Sequence, residues 1–141
     1  MTELCDKGDL KDYIKNAKEK GEKIPEKTVF KLFRQICEGI RYIHEKKIIH
    51  RDLKPENIFI GTDPETNEPM PIIADFGLCK ELIDRSVATT ETGSRNYFSP
   101  EIIKKQSYDY STDIFSLGFI LYEMCTLEQF WTPEVQIDIY Y

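Results

Sequence analysis

The sequence contains no C-x-x-C pair. Its four cysteines, Cys5, Cys37, Cys79 and Cys125, lie far apart. That spacing speaks against a zinc site and against the dense disulfide framework of small secreted domains. Reduced thiols in an intracellular, cytoplasmic protein are the expectation. An apolar leader is also missing, since Met1 is followed by Glu3, Asp6 and Lys7, and no signal peptide is predicted. The longest apolar run, FSLGFILYEMCTL over 115–127, is interrupted by Glu123 and is too short to span a bilayer. No membrane contact is therefore expected. Positive charge is in deficit too: 19 Lys and Arg stand against 25 Asp and Glu, a net charge of -6. A basic surface for phosphate backbones is not supplied, so no nucleic-acid contact is expected. Neither an internal repeat nor a low-complexity segment occurs.

What is present is ordinary for one globular core. Leu10, Tyr13, Ile14 and Ala17 recur at helical spacing after Asp9, a predicted N-cap, and Gly21 ends that helix. A second helix is predicted over 24–48, where Val29, Leu32, Phe33, Ile36, Cys37, Ile40 and Ile43 follow the i, i+3, i+4, i+7 rule. Two short β-type pieces follow, 57–60 and 71–76. The linker between them, GTDPETNEPMP, is rich in turn formers. Together they predict a hairpin, with Ile58, Ile60, Ile72 and Ile73 packing on the long helices. Residues 81–96 read as a mobile polar loop, 99–106 as a short helix with Pro100 in its first turn, and 111–127 as a strong helix capped by Ser111 or Thr112. The fold class is mainly α with a small β-hairpin.

One stretch does not fit a bland reading. Residues 50–57, HRDLKPEN, place two cations, two anions, an imidazole and an amide between apolar runs. Unpaired charge is costly to bury. A hairpin brings Asn57 close to Asp75, and two oxygen-bearing side chains at adjacent strand ends suit Mg²⁺, which takes few protein ligands. Asp52 is placed to accept a proton from a hydroxyl, and Lys54 shares its side and can neutralise a phosphate. Each of Asp52, Asn57 and Asp75 taken alone reads as a turn former; the ordered set with Lys54 reads as phosphoryl-transfer chemistry. His44 reads as a packing or surface residue and is assigned no chemistry.

HRDLKPEN, then DFG (75–77), then SPE (99–101), then DIFSLG (113–118) resembles the ordered signature of eukaryotic protein kinases. The resemblance implies a kinase-like large lobe, ATP and Mg²⁺ as cofactors, and a protein substrate. Residue by residue it implies Asp52 as catalytic base and Lys54 at the γ-phosphate. Asn57 and Asp75 would hold Mg²⁺. His50 and Phe76 would form part of an internal spine, and Asp113 would brace the catalytic loop. MTELCDKGDL resembles the hinge, so backbone groups of Glu3 and Cys5 would meet adenine and Asp9 the ribose. Lys54 together with Ser94 in GSRNYFSPE resembles the serine/threonine class.

At the subfamily level the wording resembles the kinases of the initiation factor 2 α subunit, nearest the double-stranded-RNA-activated member; NIMA-related kinases share the CDKGDL-like hinge exit. The first reading makes Thr89 the leading autophosphorylation site and Ser94 the second, with Thr90 and Thr92 as neighbours and Arg51 as the phosphate dock. It also implies a kinase homodimer in the parent protein. Residues 1–141 hold no glycine-rich phosphate loop and no VAIK-type lysine, and the arginine that usually pairs with Glu101 is absent. The expectation is a partial kinase domain truncated at both ends, running from hinge to the long helix, with little or no phosphotransfer by itself. A noncatalytic interaction module is the alternative.

Overall fold

The computed structural model of the protein describes residues 7–74, 80–81, 97–104, 107 and 109–130. The elements run α1 (Leu10–Glu19), α2 (Glu26–Glu45), β1 (Ile48–Ile49), a 3₁₀ turn (Pro55–Asn57), β2 (Ile58–Thr62), β3 (Pro69–Ile73), β4 (Lys80–Glu81), α3 (Pro100–Ile103) and α4 (Ser111–Thr126). Helices dominate, with two small antiparallel strand pairs, β1–β4 and β2–β3; the second is the predicted hairpin.

α1 starts where predicted. Asp9 accepts the Asp12 N–H at 2.8 Å through Oδ1, which satisfies one of the N–H groups a helix start leaves orphaned. The chain turns away at Gly21, whose φ of 67° is in the left-handed region that glycine reaches without penalty. α2 is the spine of the core. Val29, Leu32, Ile36 and Ile40 are buried along one face, against Leu10 and Ile14 from α1, Ile58 and Ile60 from β2, and Leu117, Ile120 and Met124 from α4.

α2 ends three residues earlier than the sequence suggests. Lys46 N–H and Lys47 N–H bond back to Ile43 O and His44 O, and Lys47 turns left-handed with φ 60°. Ile48 and Ile49 then form β1, paired antiparallel with β4 in the register Ile48 to Glu81 and Ile49 to Lys80. Two β-branched residues just past a tight helix exit satisfy a strand better than a last helical turn. Glu81 is thus in a strand rather than the predicted loop; residues 82–96 lie outside the described residues.

The hairpin β2–β3 reaches further into the linker than predicted and its second strand stops earlier, with Ile58 opposite Ile73 and Thr62 opposite Pro69. Two prolines sit in β3, and the bonding pattern explains their tolerance. Ile60 N–H donates to Gly8 O at 2.8 Å, and Ile60 O accepts from Lys7 N–H at 3.2 Å. Both backbone groups of Ile60 therefore face the 7–9 segment. Pro71, opposite Ile60, needs no N–H toward β2, and Pro69, two residues away, has the same parity. The turn itself closes on Asp63, which accepts from Glu65 N–H at 2.9 Å and Thr66 N–H at 3.3 Å. Those bonds hold its carboxyl below the ordinary range. An ion pair from Lys31 of α2 to Glu68 ties the turn to the helix.

α4 begins differently from the expected hydroxyl cap. The oxygen that receives the Ser111 N–H, at 2.8 Å, belongs to Asp109. Ser111 and Thr112 lie inside the first turn and turn their hydroxyls toward Glu101 instead. Among the described residues no helix is long and apolar enough to cross a membrane. Cys37 and Cys125 are free thiols; burial first, then the neighbouring Glu38 carboxylate, pushes Cys37 above the ordinary thiol range.

Candidate active site

The HRDLKPEN segment bridges β1 and β2, and its apolar ends fix it. Ile49, Leu53 and Ile58 are each almost fully buried. Lys54 is in extended backbone, so Asp52 and Lys54, two apart, share a side while Leu53 points into the core. The two side chains meet: Lys54 Nζ lies 2.8 Å from Asp52 Oδ2. Asn57 completes the group. Its Nδ2 donates to Asp52 O at 2.8 Å and to Asp52 Oδ2 at 3.0 Å. Two acceptors on one nitrogen fix which end of the amide is which. Oδ1 is the remaining polar atom of Asn57, and a carbonyl-type oxygen suits a hard cation. Ala74 N–H bonds Asn57 O at 2.9 Å, so the residue before Asp75 is bound to the metal-ligand candidate Asn57. Asp75 and Phe76 themselves lie outside the described residues, as do Glu3, Cys5, Thr89 and Ser94. Among the described residues no group of three or more His, Cys, Asp or Glu could hold a metal ion; a site of one amide with carboxylates and phosphates does not require such a group.

Asp113 anchors the loop from α4. Its side chain is fully buried. Oδ2 accepts from His50 N–H at 2.9 Å and Oδ1 from Arg51 N–H at 2.9 Å. Two successive N–H groups around one anion form a nest, which needs one residue in the left-handed region. Arg51 is that residue, with φ 71°. Such backbone costs a non-glycine residue about 1–3 kcal/mol and persists only where its surroundings enforce it. The carboxylate enforces it here, and the turn at Arg51 is what aims Asp52. His50 is fully buried, and its Nε2 lies 3.1 Å from Ala74 O.

Asp9 stands at the strand edge, bridged to Phe59, with one carboxylate oxygen engaged in capping α1. Glu101 is held by hydroxyl groups. It accepts from Thr112 Oγ1 at 3.0 Å and lies 3.5 Å from Ser111 Oγ. Burial pushes its carboxyl up, but bonds from its own N–H, Ser99, Thr112 and Ser111 together outweigh that and hold it below the ordinary range.

Three participants were missed by sequence reasoning. His44 Nε2 lies 2.7 Å from Asp113 Oδ2, although its place on an amphipathic helix gave no sign of this. Glu123 is 3% exposed and accepts from Tyr97 Oη and from Lys11 Nζ at 3.3 Å. The signal for Glu123 was visible: a carboxylate inside an apolar run needs buried partners. Tyr97 joins it from the segment before α3, and Ser116 Oγ donates to Tyr97 O at 2.7 Å. Burial first, and then Glu123, pushes the Tyr97 phenol far above its ordinary value.

Known proteins bear on this geometry. A family model described as protein kinase domain matches residues 1–140. The serine/threonine-protein kinase Nek11 of Homo sapiens is 41% identical over 128 residues, covering 90% of this chain and 19% of its own length. The kinase nekl-2 of Caenorhabditis elegans is 42% identical over 113 residues, or 80% of this chain and 30% of its own. ATG1b of Arabidopsis thaliana is 38% identical over 139 residues, 99% of this chain and 19% of its own. The chain thus spans between about a fifth and a third of these relatives. The names Nek11 and nekl-2 fit the NIMA-related alternative better than the initiation-factor-2α reading that the sequence put first. By the match over nearly its full length, the chain belongs to the protein kinase domain family.

Proposed function

We propose that these residues form the catalytic-loop side of a NIMA-related-type site that phosphorylates protein serine or threonine, with ATP and Mg²⁺. The observation that carries the reading is the Asp52 carboxylate held between Lys54 and Asn57 on a loop whose backbone is bound to Asp113.

In this reading Asp52 orients the acceptor hydroxyl and takes up its proton at Oδ1 or Oδ2. Lys54, already beside that carboxylate, supplies positive charge where the phosphoryl oxygens would lie. Asn57 Oδ1, with Asp75, would hold Mg²⁺, whose bound charge offsets that of the phosphates. The nest at His50 and Arg51 keeps the aim of Asp52 fixed, which matters because positioning dominates this chemistry. The serine/threonine class is supported by Lys54 in HRDLKPEN and by the names of the relatives.

Residues 1–141 contain no glycine-rich loop or VAIK-type lysine, so nucleotide binding tests the site more sharply than turnover. A ligand of the native state raises its melting temperature. With millimolar ATP and Mg²⁺ the chain should melt higher, and Asn57→Ala should remove the magnesium-dependent part. Any phosphate incorporated into a serine or threonine peptide should vanish with Asp52→Ala. No magnesium-dependent stabilisation in the parent chain, or incorporation that survives Asp52→Ala, would overturn the reading.

A further inference from the structure

We propose that Lys11 is a specificity-determining residue, a tethered cation that occupies the Glu123 carboxylate and closes it to basic side chains of a protein substrate. The inference rests on the reading above in taking a protein as the substrate; the contacts themselves stand apart from it.

Glu123 is a buried carboxylate inside the apolar run 115–127, and its two oxygens have different partners. Oε1 accepts from Tyr97 Oη, and Tyr97 is itself buried. Oε2 accepts from Lys11 Nζ at 3.3 Å, and the Lys11 side chain is 30% exposed. One oxygen thus meets the core, and the other meets a side chain that reaches solvent. The way from solvent to Oε2 runs along Lys11. The fold does not depend on that cation. Leu10 and Ile14 bury α1 in the core, and Lys18 makes a second ion pair, at 2.7 Å, with Glu128 just past α4.

This carboxylate lies beside the candidate active site. α1, which carries Lys11, packs against the turn Pro55–Asn57, part of the segment that holds Asp52. In that turn Glu56 Oε2 is buried with no hydrogen-bond partner among the described residues. The Tyr97 phenol feels the charge of Glu56 as well as that of Glu123, so two carboxylates border one phenol. A substrate chain whose acceptor hydroxyl meets Asp52 comes within a few residues of this group, since an extended chain advances about 3.3 Å per residue. A desolvated carboxylate there is a strong acceptor for a guanidinium or ammonium group. Lys11 already fills that role. An incoming cation must first displace it, so a basic side chain on the substrate brings little advantage over a neutral one.

Peptide binding to the 141-residue chain tests this without turnover or nucleotide. Fluorescence anisotropy at physiological salt compares two fluorescein-labelled serine peptides, one with arginines flanking the serine and one with citrulline, a neutral group of nearly the same shape. The parent chain and Lys11→Arg should show the same ratio of arginine to citrulline affinity. Lys11→Ala and Lys11→Met should raise that ratio about ten-fold, and adding Glu123→Gln to Lys11→Ala should cancel the gain. Lys15→Ala removes an equal charge from an exposed position on the same helix and should leave the ratio at the parent value. An equal gain in Lys15→Ala would mean general charge attraction and overturn the proposal. So would a gain that survives Glu123→Gln, or no gain in the Lys11 variants, including failure of either peptide to bind them. If Lys11→Ala does not fold, Lys11→Met, which keeps an apolar stem, decides by the same criterion. Magnesium-dependent stabilisation by ATP is scored separately: its presence without an arginine gain sinks this proposal alone, and an arginine gain without it sinks the kinase reading and leaves the cation pocket standing.

Discussion

Lys54 Nζ stands 2.8 Å from Asp52 Oδ2, across a single residue whose side chain is in the core. The two side chains are 17% and 8% exposed, so the pair is neither a solvated surface bridge nor a sealed one. Truncating the cation leaves Asp52 with Asn57 and little water. Lys54→Met should therefore cost about 1–2 kcal/mol in urea unfolding. Lys54→Met combined with Asp52→Asn should cost less than the sum of the single changes, because neither charge is then stranded. Strictly additive single and double values would show that the pair contributes no coupling.

Much of this arrangement was readable in the chain, and the reason is periodicity. α1 and α2 followed from apolar spacing and a good N-cap, and the β2–β3 hairpin from two apolar pieces around a turn-rich linker. Asp52, Lys54 and Asn57 were legible as a group because their spacing is local: a short loop decides their proximity. Contacts that depend on tertiary placement were not legible. His44 and Asp113 are 69 residues apart in sequence, and Tyr97 and Glu123 are 26 apart; no periodic signal links either pair. Ile48, the first residue of β1, falls inside the predicted helix because an apolar residue there suits a helix as well as a strand, and only the helix exit at Lys47 separates the two.

Tyr97 reaches Glu123 from the segment before α3, and Lys11 reaches the same carboxylate from α1. Tyr97→Phe leaves one carboxylate oxygen short of a donor at a site 3% exposed. It should lower stability by about 1–3 kcal/mol. The phenol is raised by burial, then by Glu123, so the folded state keeps its proton longer than the unfolded chain does. That stabilisation is full below the ordinary tyrosine value of about 10 and is lost as pH rises above it. Alkaline unfolding of the parent chain should steepen there, and Tyr97→Phe should flatten it. An unchanged alkaline slope in the variant would break the assignment.

Glu101 gives the opposite pH signature. Its carboxyl is held low by hydroxyl and backbone donors that outweigh its burial. A carboxyl depressed in the folded state stabilises above its ordinary value of 4.5 and loses that contribution as pH falls through the depressed value. Glu101→Gln removes the titration. The variant should be less stable than the parent at pH 7, and the difference should shrink as pH falls below the ordinary carboxyl value. Parallel acid-unfolding curves at all pH values would show that Glu101 does not titrate in this way.

Two helical glycines make contrasting predictions. A Cβ at Gly118, on the exposed side of α4, would meet nothing within 4 Å, so Gly118→Ala should follow helix propensity alone and stabilise by about 0.5–1 kcal/mol. A Cβ at Gly39 in α2 would come within 2.8 Å of Ile73 Cδ1, where the helix lies against the hairpin. The atom it meets is the tip of a side chain, which can shift at modest cost, so Gly39→Ala should gain less than Gly118→Ala and end near neutral. Gly39→Val has no such escape, because a branched side chain must displace the body of Ile73 and overpack the contact, at about 1–3 kcal/mol. Urea midpoints of the three variants rank the effects directly. A Gly39→Ala gain equal to that at Gly118 would mean that α2 and β3 are packed more loosely than the 2.8 Å approach implies.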